Sequence, residues 1–198
     1  NAKSYEALRK KSKGKFTMAK FVQLKSLAKN TVGRSDDFLL QQMEMTLDIY
    51  SQMDSKVDEV EVQIQECITG INPPIMTIPG VGYLSAAVIL SEFGDFSKFE
   101  NPSKMLSFAG LKPGYFQSGQ SEHTGRMVKH GSSHLRYALM NTCLPLITNE
   151  PVFAEYYAKK RAEGKPYRVA LTHVAKKLLR VIYTLQTKNI PYDANLIR

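Results

Sequence analysis

The chain has 198 residues, of which 43% are hydrophobic, so it is long enough for one domain with a core, or for one domain with an extension. Its formal net charge is +9, from 27 basic and 18 acidic residues, and this basic excess favours a polyanionic partner. No apolar run approaches the roughly 20 residues that span a bilayer, and no secretion signal opens the chain.

Charge divides the chain unevenly, which predicts three parts with different roles. Residues 1–36 carry a net charge of +8, residues 37–72 a net charge of −7, and residues 73–198 again +8. We therefore predict a basic helical segment over residues 1–35, a coiled-coil helix over 36–72 and a C-terminal helical domain over 73–198.

The first segment is predicted to hold two short helices. Gly14 separates a helix over Ala2–Lys11 from a second one over Phe16–Lys29. The lysines of this segment form either a solvated surface or a set of phosphate contacts.

A long helix is predicted from about Asp36 to Thr69, with Ser35 as its N-cap. Its seam comprises Leu39, Met43, Thr46, Tyr50, Met53, Val57, Val60, Ile64 and Cys67. The alternating spacings of four and three residues form a heptad pattern in which only Thr46 is polar. A single helix cannot bury such a seam, so its partner is either a second copy of the chain or an antiparallel helix within it. The acidic exposed faces make this helix a poor contact for DNA.

The third segment opens with Ile78-Pro79-Gly80-Val81-Gly82, which looks like a helix-hairpin-helix turn. Glycine lets the backbone approach a phosphate closely, and the helix that follows points its free N–H groups at the anion. We therefore predict that the backbone amides of Gly80, Val81 and Gly82 bind nucleic-acid phosphate without reading bases. The alternative is an ordinary glycine turn between packed helices.

The remaining segments predict helices separated by one glycine-rich loop. One helix is predicted to follow Asn101-Pro102 and to end at Gly110. Three more are predicted over about Ser132–Thr148, Pro151–Glu163 and Tyr167–Lys188. Residues 111–131 form the loop, with a short hairpin as an option. No long strand pattern is present. The predicted fold class is all-α, with a long coiled-coil helix followed by a compact helical domain that contains the helix-hairpin-helix-like turn.

Ser118 lies beside a glycine in this polar loop, and Arg126, Lys129, His130 and Arg136 follow it. A serine hydroxyl is a weak nucleophile until its proton is removed or the developing charge is stabilised. Because a reacting phosphodiester needs positive charge around its oxygens, this set suits phosphoryl transfer better than acyl transfer. A loop serine is also a common turn residue, so both interpretations stay open on these residues alone.

No metal site is predicted in this chain. The four histidines, His123, His130, His134 and His173, do not form a zinc pattern with a third clustered ligand. The acidic residues of the third segment are scattered and do not predict a Mg²⁺ nuclease centre. Cys67 and Cys143 lie far apart without CxxC spacing, which is typical of reduced thiols in a cytosolic protein.

Five short motifs follow one another in a characteristic order. They are Ile-Pro-Gly-Val-Gly at 78–82, Phe-Ala-Gly-Leu-Lys-Pro at 108–113, Ser-Gly at 118–119, Lys-His-Gly at 129–131 and Leu-Arg at 135–136. Together with Lys-Asn-Ile-Pro-Tyr-Asp at 188–193, their order resembles the C-terminal region of the insertion-sequence family one-ten, the RNA-guided DEDD-type transposases. The resemblance covers about residues 75–198.

The resemblance implies a transposase or recombinase in which Ser118 attacks a DNA phosphodiester and forms a covalent phosphoserine link. We predict phosphate contacts for Arg126, Lys129 and Arg136, although the resemblance supports their motif rather than their individual roles. The implied partners are DNA and a structured guide RNA, with a homodimer through the coiled coil and a higher oligomer in the synaptic complex. The implied location is the prokaryotic cytoplasm, in association with the nucleoid.

The resemblance also implies that part of the machinery lies outside this chain. Mg²⁺ is expected in a RuvC-like domain that the chain lacks, and no cofactor is expected in the chain itself. Alone, the chain should bind nucleic acid and dimerise without completing recombination. Two alternatives remain, namely a non-catalytic helix-hairpin-helix module that binds DNA on a dimerising coiled coil, and a structural dimer whose charge only aids solubility.

Overall fold

The computed structural model describes residues 2–33, 36–118, 121–128 and 130–196. The described chain is predominantly helical, and a single two-stranded hairpin accompanies its helices there. The predicted all-α class and the long helix are therefore confirmed. Two compact units can be distinguished, residues 1–54 and residues 55–198. Throughout the described ranges, every helix is too short or too polar to cross a membrane.

The first unit contains α1 (Ala2–Lys11), α2 (Met18–Lys29) and the start of α3 (Asp37–Ile71). Helix α2 begins two residues later than predicted, because the Thr17 hydroxyl accepts a hydrogen bond from the Lys20 amide at 3.4 Å. The rings of Tyr5 and Phe21 pack at 5.6 Å between centroids, and Phe21 is buried.

Helix α3 is capped by Asp36. Its carboxylate accepts hydrogen bonds from the amides of Phe38 at 3.0 Å and Leu39 at 3.4 Å. A carboxylate at this position also suits the positive end of the helix dipole. Ser35, the predicted N-cap, lies outside the described residues.

The second unit contains the other helices and the hairpin. Its helices are α4 (Tyr83–Phe93), α5 (Pro102–Phe108), α6 (Ser133–Asn149), α7 (Pro151–Ala162) and α8 (Tyr167–Lys188), and short 3-10 helices cover Pro74–Thr77, Phe96–Lys98 and Ala194–Leu196. The side chain of Asn101 accepts from the Lys104 amide, and that of Ser132 accepts from the Leu135 amide. These caps confirm where α5 and α6 were predicted to start.

Helix α8 is the centre of the core. Residues at helical spacing along one side of it are buried, namely Ala170, Val174, Leu178, Val181, Ile182 and Leu185. This stripe packs against α5, α6 and α7, and α6 in turn packs against α4. The opposite side of α8 remains available to solvent.

The hairpin consists of the antiparallel strands β1 (Pro113–Ser118) and β2 (Ser121–Met127). Pro113 pairs with Met127 at its base, and Ser118 pairs with Ser121 at its tip. The register shifts near the base, where β2 has one residue more than β1, so the hairpin contains a bulge. The glycine-rich loop predicted over residues 111–131 therefore contains the short hairpin that was the alternative for this segment.

Candidate functional site

Two glycine motifs meet at the base of the hairpin. Gly110 has a φ of +65°, and a β-carbon there would lie 2.6 Å from the His130 carbonyl oxygen and 2.6 Å from Nη1 of Arg136. Gly131, with a φ of +120°, lies directly against the carbonyl of Phe108. The backbone therefore has no space for a side chain at either glycine, and the two motifs form one tight junction.

Arg136 spans this junction from the first turn of α6. Its Nη1 donates to the Gly131 carbonyl at 3.2 Å and lies 3.5 Å from the Ala109 carbonyl. Below it, the Val128 amide donates to the Lys112 carbonyl at 3.0 Å and closes the hairpin. The geometry gives Arg136 a structural role at the hairpin base, a role that its charge alone did not predict.

Ser118 lies at the other end of the hairpin. It is the last residue of β1, and residues 119–120, which follow it in the sequence, lie outside the described residues. Ser118 is five residue steps along the strand from Pro113, a length of about 17 Å at the usual rise of a β-strand. Ser118 and the Arg136 guanidinium are therefore at opposite ends of the hairpin and are not brought together.

Of the other two predicted cations, Arg126 belongs to β2. Arg126 lies at the bulge, between Thr124, which pairs with Tyr115, and Met127, which pairs with Pro113. Bulges commonly redirect a side chain or end strand pairing. Lys129 lies outside the described residues.

The Gly80-Val81-Gly82 turn joins a 3-10 helix to α4, and two of its residues serve packing. The Val81 amide donates to the Ile78 carbonyl at 3.1 Å, and the Val81 side chain is buried. Gly80 has a φ of +91°, and a β-carbon there would lie 2.7 Å from the Pro145 carbonyl carbon. The prediction that the Val81 amide is offered to a phosphate is thus corrected, because the turn itself uses that amide.

Gly82 differs from its two neighbours. It is exposed and precedes α4 as an N-cap without a side-chain hydrogen bond, and no atom lies within 4 Å of where its β-carbon would be. The first amides of an uncapped helix attract anions. Of the three predicted contacts in this turn, Gly82 is the one that faces open space.

The described residues do not fit a divalent-metal site. Among them, no three His, Cys, Asp or Glu side chains come together in a group that suits a metal ion. Both cysteines are free; Cys67 is exposed, whereas burial raises the pKa of Cys143 to about 12.

Comparison with known proteins finds a sequence family whose model matches the part of the chain that contains this site. Residues 72–158, which include both glycine motifs and the hairpin, match the model of the family described as Transposase IS116/IS110/IS902. The chain is 28% identical over 139 residues to "Insertion element IS110 uncharacterized 43.6 kDa protein" of Streptomyces coelicolor, covering 69% of this chain and 34% of that relative.

Two further relatives have more informative names. The chain is 30% identical over 124 residues to "Pilin gene-inverting protein" of Moraxella bovis, covering 62% of this chain and 38% of the relative. It is 28% identical over 121 residues to "Transposase for insertion sequence element IS1111A" of Coxiella burnetii, covering 60% of this chain and 33% of the relative. The matched part of the chain thus spans about a third of the length of these relatives.

Proposed function

Because residues 72–158 belong to the IS116/IS110/IS902 transposase family, we propose that the protein acts in DNA transposition and recombination with Ser118 as its nucleophile. The observation that carries this proposal is the position of Ser118 at the tip of a hairpin whose base is held by the Gly110–His130 junction. A rigid base with a serine at the far end suits a nucleophile that reaches into a DNA backbone.

The proposed step exchanges one phosphate ester for another. The Ser118 Oγ forms a bond to phosphorus while the bond from phosphorus to one deoxyribose oxygen breaks. The serine gives up its proton to a base, and the departing deoxyribose oxygen gains one. The bond count at phosphorus is conserved, so the step needs no oxidant, reductant or nucleotide cofactor, and a second DNA end can reverse it.

The names of the relatives fit this step. One relative is named for inverting a gene and another for transposing an element. Both processes cut and rejoin DNA, and a serine ester of the DNA phosphate is suited to both because it preserves the ester for rejoining. We extend this activity to the present protein, acting on DNA in the prokaryotic cytoplasm near the nucleoid.

Phosphate contacts are proposed on the hairpin and at α4. The proposed contacts are Arg126, which belongs to β2, Lys129, which follows β2 in the sequence, and the free amides that begin α4 after Gly82. Backbone contacts of this kind hold DNA without selecting a sequence. Selection of the target is then assigned to a structured guide RNA, and metal chemistry to a RuvC-like domain outside this chain.

Self-association is proposed through α3. Its seam residues are exposed along most of the helix, with Leu39 at 59%, Met53 at 64% and Val57 at 55% exposure. Exposed apolar side chains at heptad spacing are stabilised when a second helix covers them. We assign that helix to a second copy of the chain, with further association in the synaptic complex.

The test is covalent trapping of DNA on the protein. The full-length parent, its guide RNA, Mg²⁺ and labelled DNA are mixed and denatured, and the label on the protein is measured. Wild type should carry label and Ser118→Ala should not. Ser121→Ala is the matched control, because Ser121 is the strand partner of Ser118 and should leave the adduct intact. DNA binding without any adduct in wild type would favour the non-catalytic helix-hairpin-helix module.

A further inference from the structure

A row of cations runs along the exposed side of α8. Lys176 and Arg180 lie four residues apart and project from one face of the helix, and Lys188 lies about two turns further along. The row extends over about 18 Å at the usual helical rise. The buried apolar stripe of α8 faces away from Lys176 and Arg180, so these two charges are not needed for the core.

One end of this row forms a cationic hollow with the segment that leads into the hairpin. The hollow is lined by Ser103, Leu106, Lys112, Lys176 and Arg180. Helices α5 and α8 pack against each other and fix its walls. Three of its five lining residues are cations and none is acidic, which is a composition suited to a phosphate group.

The charges of the hollow are not neutralised by the described residues. The ion pairs found among the described residues are Lys56 with Glu59 and Lys160 with Glu163. Neither pair includes a residue of the hollow. The pKa of Lys176 is lowered, first by burial and then by Arg180. Lys176 and Arg180 therefore repel each other, and a bound anion would offset that repulsion.

Lys177 lies on the same helix, but its surroundings differ from those of Lys176 and Arg180. Its ammonium lies 5.4 Å from the ring centroid of Phe153 and 5.0 Å from that of Tyr156. Burial lowers the pKa of Lys177, and the negative charges of Glu155 and Glu150 oppose that shift. Lys177 thus has favourable partners within the chain, whereas the cations of the hollow lack them among the described residues.

We propose that the hollow between α5 and α8 binds a backbone phosphate of the DNA strand that Ser118 attacks, and that the α8 row follows that strand. This inference rests on the proposed function. Lys112 immediately precedes β1, so the hollow lies at the hairpin base, and the strand length from Lys112 to Ser118 is about 20 Å. At about 3.4 Å per nucleotide along one strand of a duplex, the two sites are about six nucleotides apart. The hollow has no aromatic or amide side chain in its lining, so it contacts the backbone rather than the bases.

The experiment measures binding of the full chain to a DNA duplex by fluorescence anisotropy over a range of salt concentrations. Each lost phosphate contact lowers the slope of log K against log salt by about one, so Lys112→Ala and Arg180→Ala should each lower it by about one. Lys112→Arg and Arg180→Lys keep the charge and should retain the wild-type slope. Lys159→Ala removes an exposed lysine from α7 as a control and should also retain it. Thermal melts establish that every variant is folded.

The outcomes separate the hollow from the proposed function. If wild type shows no salt-dependent DNA binding, both the proposed DNA-binding role and the hollow are overturned. If wild type binds but Lys112→Ala and Arg180→Ala match Lys159→Ala, the hollow alone is overturned. If the two variants change only the binding of an RNA duplex of the same sequence, the assignment to DNA is overturned. Ser118→Ala should bind with the wild-type slope, which keeps this test independent of the chemical step.

Discussion

The carbonyl oxygen of His130 lies 2.6 Å from the point where a β-carbon on Gly110 would stand. This contact joins the end of the Phe-Ala-Gly-Leu motif to the Lys-His-Gly motif across the base of the hairpin. It explains why both motifs contain glycine, since a side chain at either position would push the two backbone segments apart. The junction lies just before the start of β1, the strand that ends at Ser118.

Gly110→Ala should therefore destabilise the second unit strongly. A positive φ alone disfavours alanine by about 1–2 kcal/mol, and displacing packed atoms adds roughly 1–3 kcal/mol. We expect a loss of roughly 3 kcal/mol in the free energy of unfolding, measured by urea denaturation. Gly164→Ala is the matched control, because Gly164 has a φ of +77° with no atom within 4 Å of its β-carbon position. Equal losses for the two variants would contradict the junction.

Arg136→Ala tests whether this residue holds the junction or binds phosphate. Its Nη1 donates to the Gly131 carbonyl at 3.2 Å, and a hydrogen bond from a charged group contributes about 2 kcal/mol. We expect a comparable fall in unfolding free energy, measured beside Arg168→Ala, which removes an exposed arginine from α8. Unchanged stability with weaker DNA binding would instead assign Arg136 to the phosphate.

The turn before α4 should separate into a packing glycine and a binding glycine. Gly80→Ala should lower the unfolding free energy by roughly 3 kcal/mol, because its β-carbon would meet the Pro145 backbone at 2.7 Å. Gly82→Ala should change stability by less than about 1 kcal/mol, since it alters only an exposed N-cap. It should nevertheless weaken DNA binding, because a methyl group would hold a phosphate away from the α4 amides. DNA affinity unchanged in folded Gly82→Ala would remove this contact from the proposal.

Local signals explain which features were predictable from the sequence. The apolar periodicity of α8 and the caps Asn101 and Ser132 are encoded within a few residues, and the structure confirms the helices that they predict. The start of α2 was placed too early because the Thr17 hydroxyl, rather than the run of apolar residues from Phe16, fixes the first turn.

Features that depend on distant segments were not predictable in the same way. The contact between Gly110 and His130 and the hydrogen bonds of Arg136 form only when α5 and α6 are brought together. The hollow that joins Lys112 to Arg180 likewise forms only when α5 packs on α8. The role of Ser118 followed from the order of the motifs, and it stays a prediction.

Cys143 should make the stability of the protein fall at alkaline pH. Burial raises its pKa to about 12, whereas an unfolded thiol ionises near 8.5. Its contribution is complete below about pH 8.5 and is lost as the pH rises towards 12, because the unfolded chain then releases a proton that the folded chain keeps. Between these values, wild type should lose up to about 1.4 kcal/mol per pH unit relative to Cys143→Ala.

Urea denaturation between about pH 8 and pH 10 measures this difference. Cys67→Ala is the control, since Cys67 is exposed and its removal should leave the wild-type pH dependence in place. Parallel pH profiles for wild type and Cys143→Ala would contradict the assignment to the buried thiol.

Val57→Asp should abolish self-association through α3. Val57 is 55% exposed at the centre of the seam, and a carboxylate there would be desolvated when a second helix covers it. Sedimentation equilibrium should show a concentration-dependent dimer for wild type and a monomer for Val57→Asp. Ser55→Asp places the same charge two residues away, off the seam, and should still dimerise. Wild type that stays monomeric at every concentration would show that a second copy does not cover the seam.

The N-terminal half of α3 predicts an additional helix contact beyond the dimer. Phe38, Met45 and Ile49 are exposed by 66%, 59% and 57% and form a second apolar stripe beside the seam. A two-stranded coiled coil covers one seam only, so this stripe predicts a further helix at that end. Met45→Asp should then leave the dimer intact while it removes any larger species seen in wild type at high concentration. Loss of the dimer itself in Met45→Asp would instead show that both stripes belong to a single broad interface.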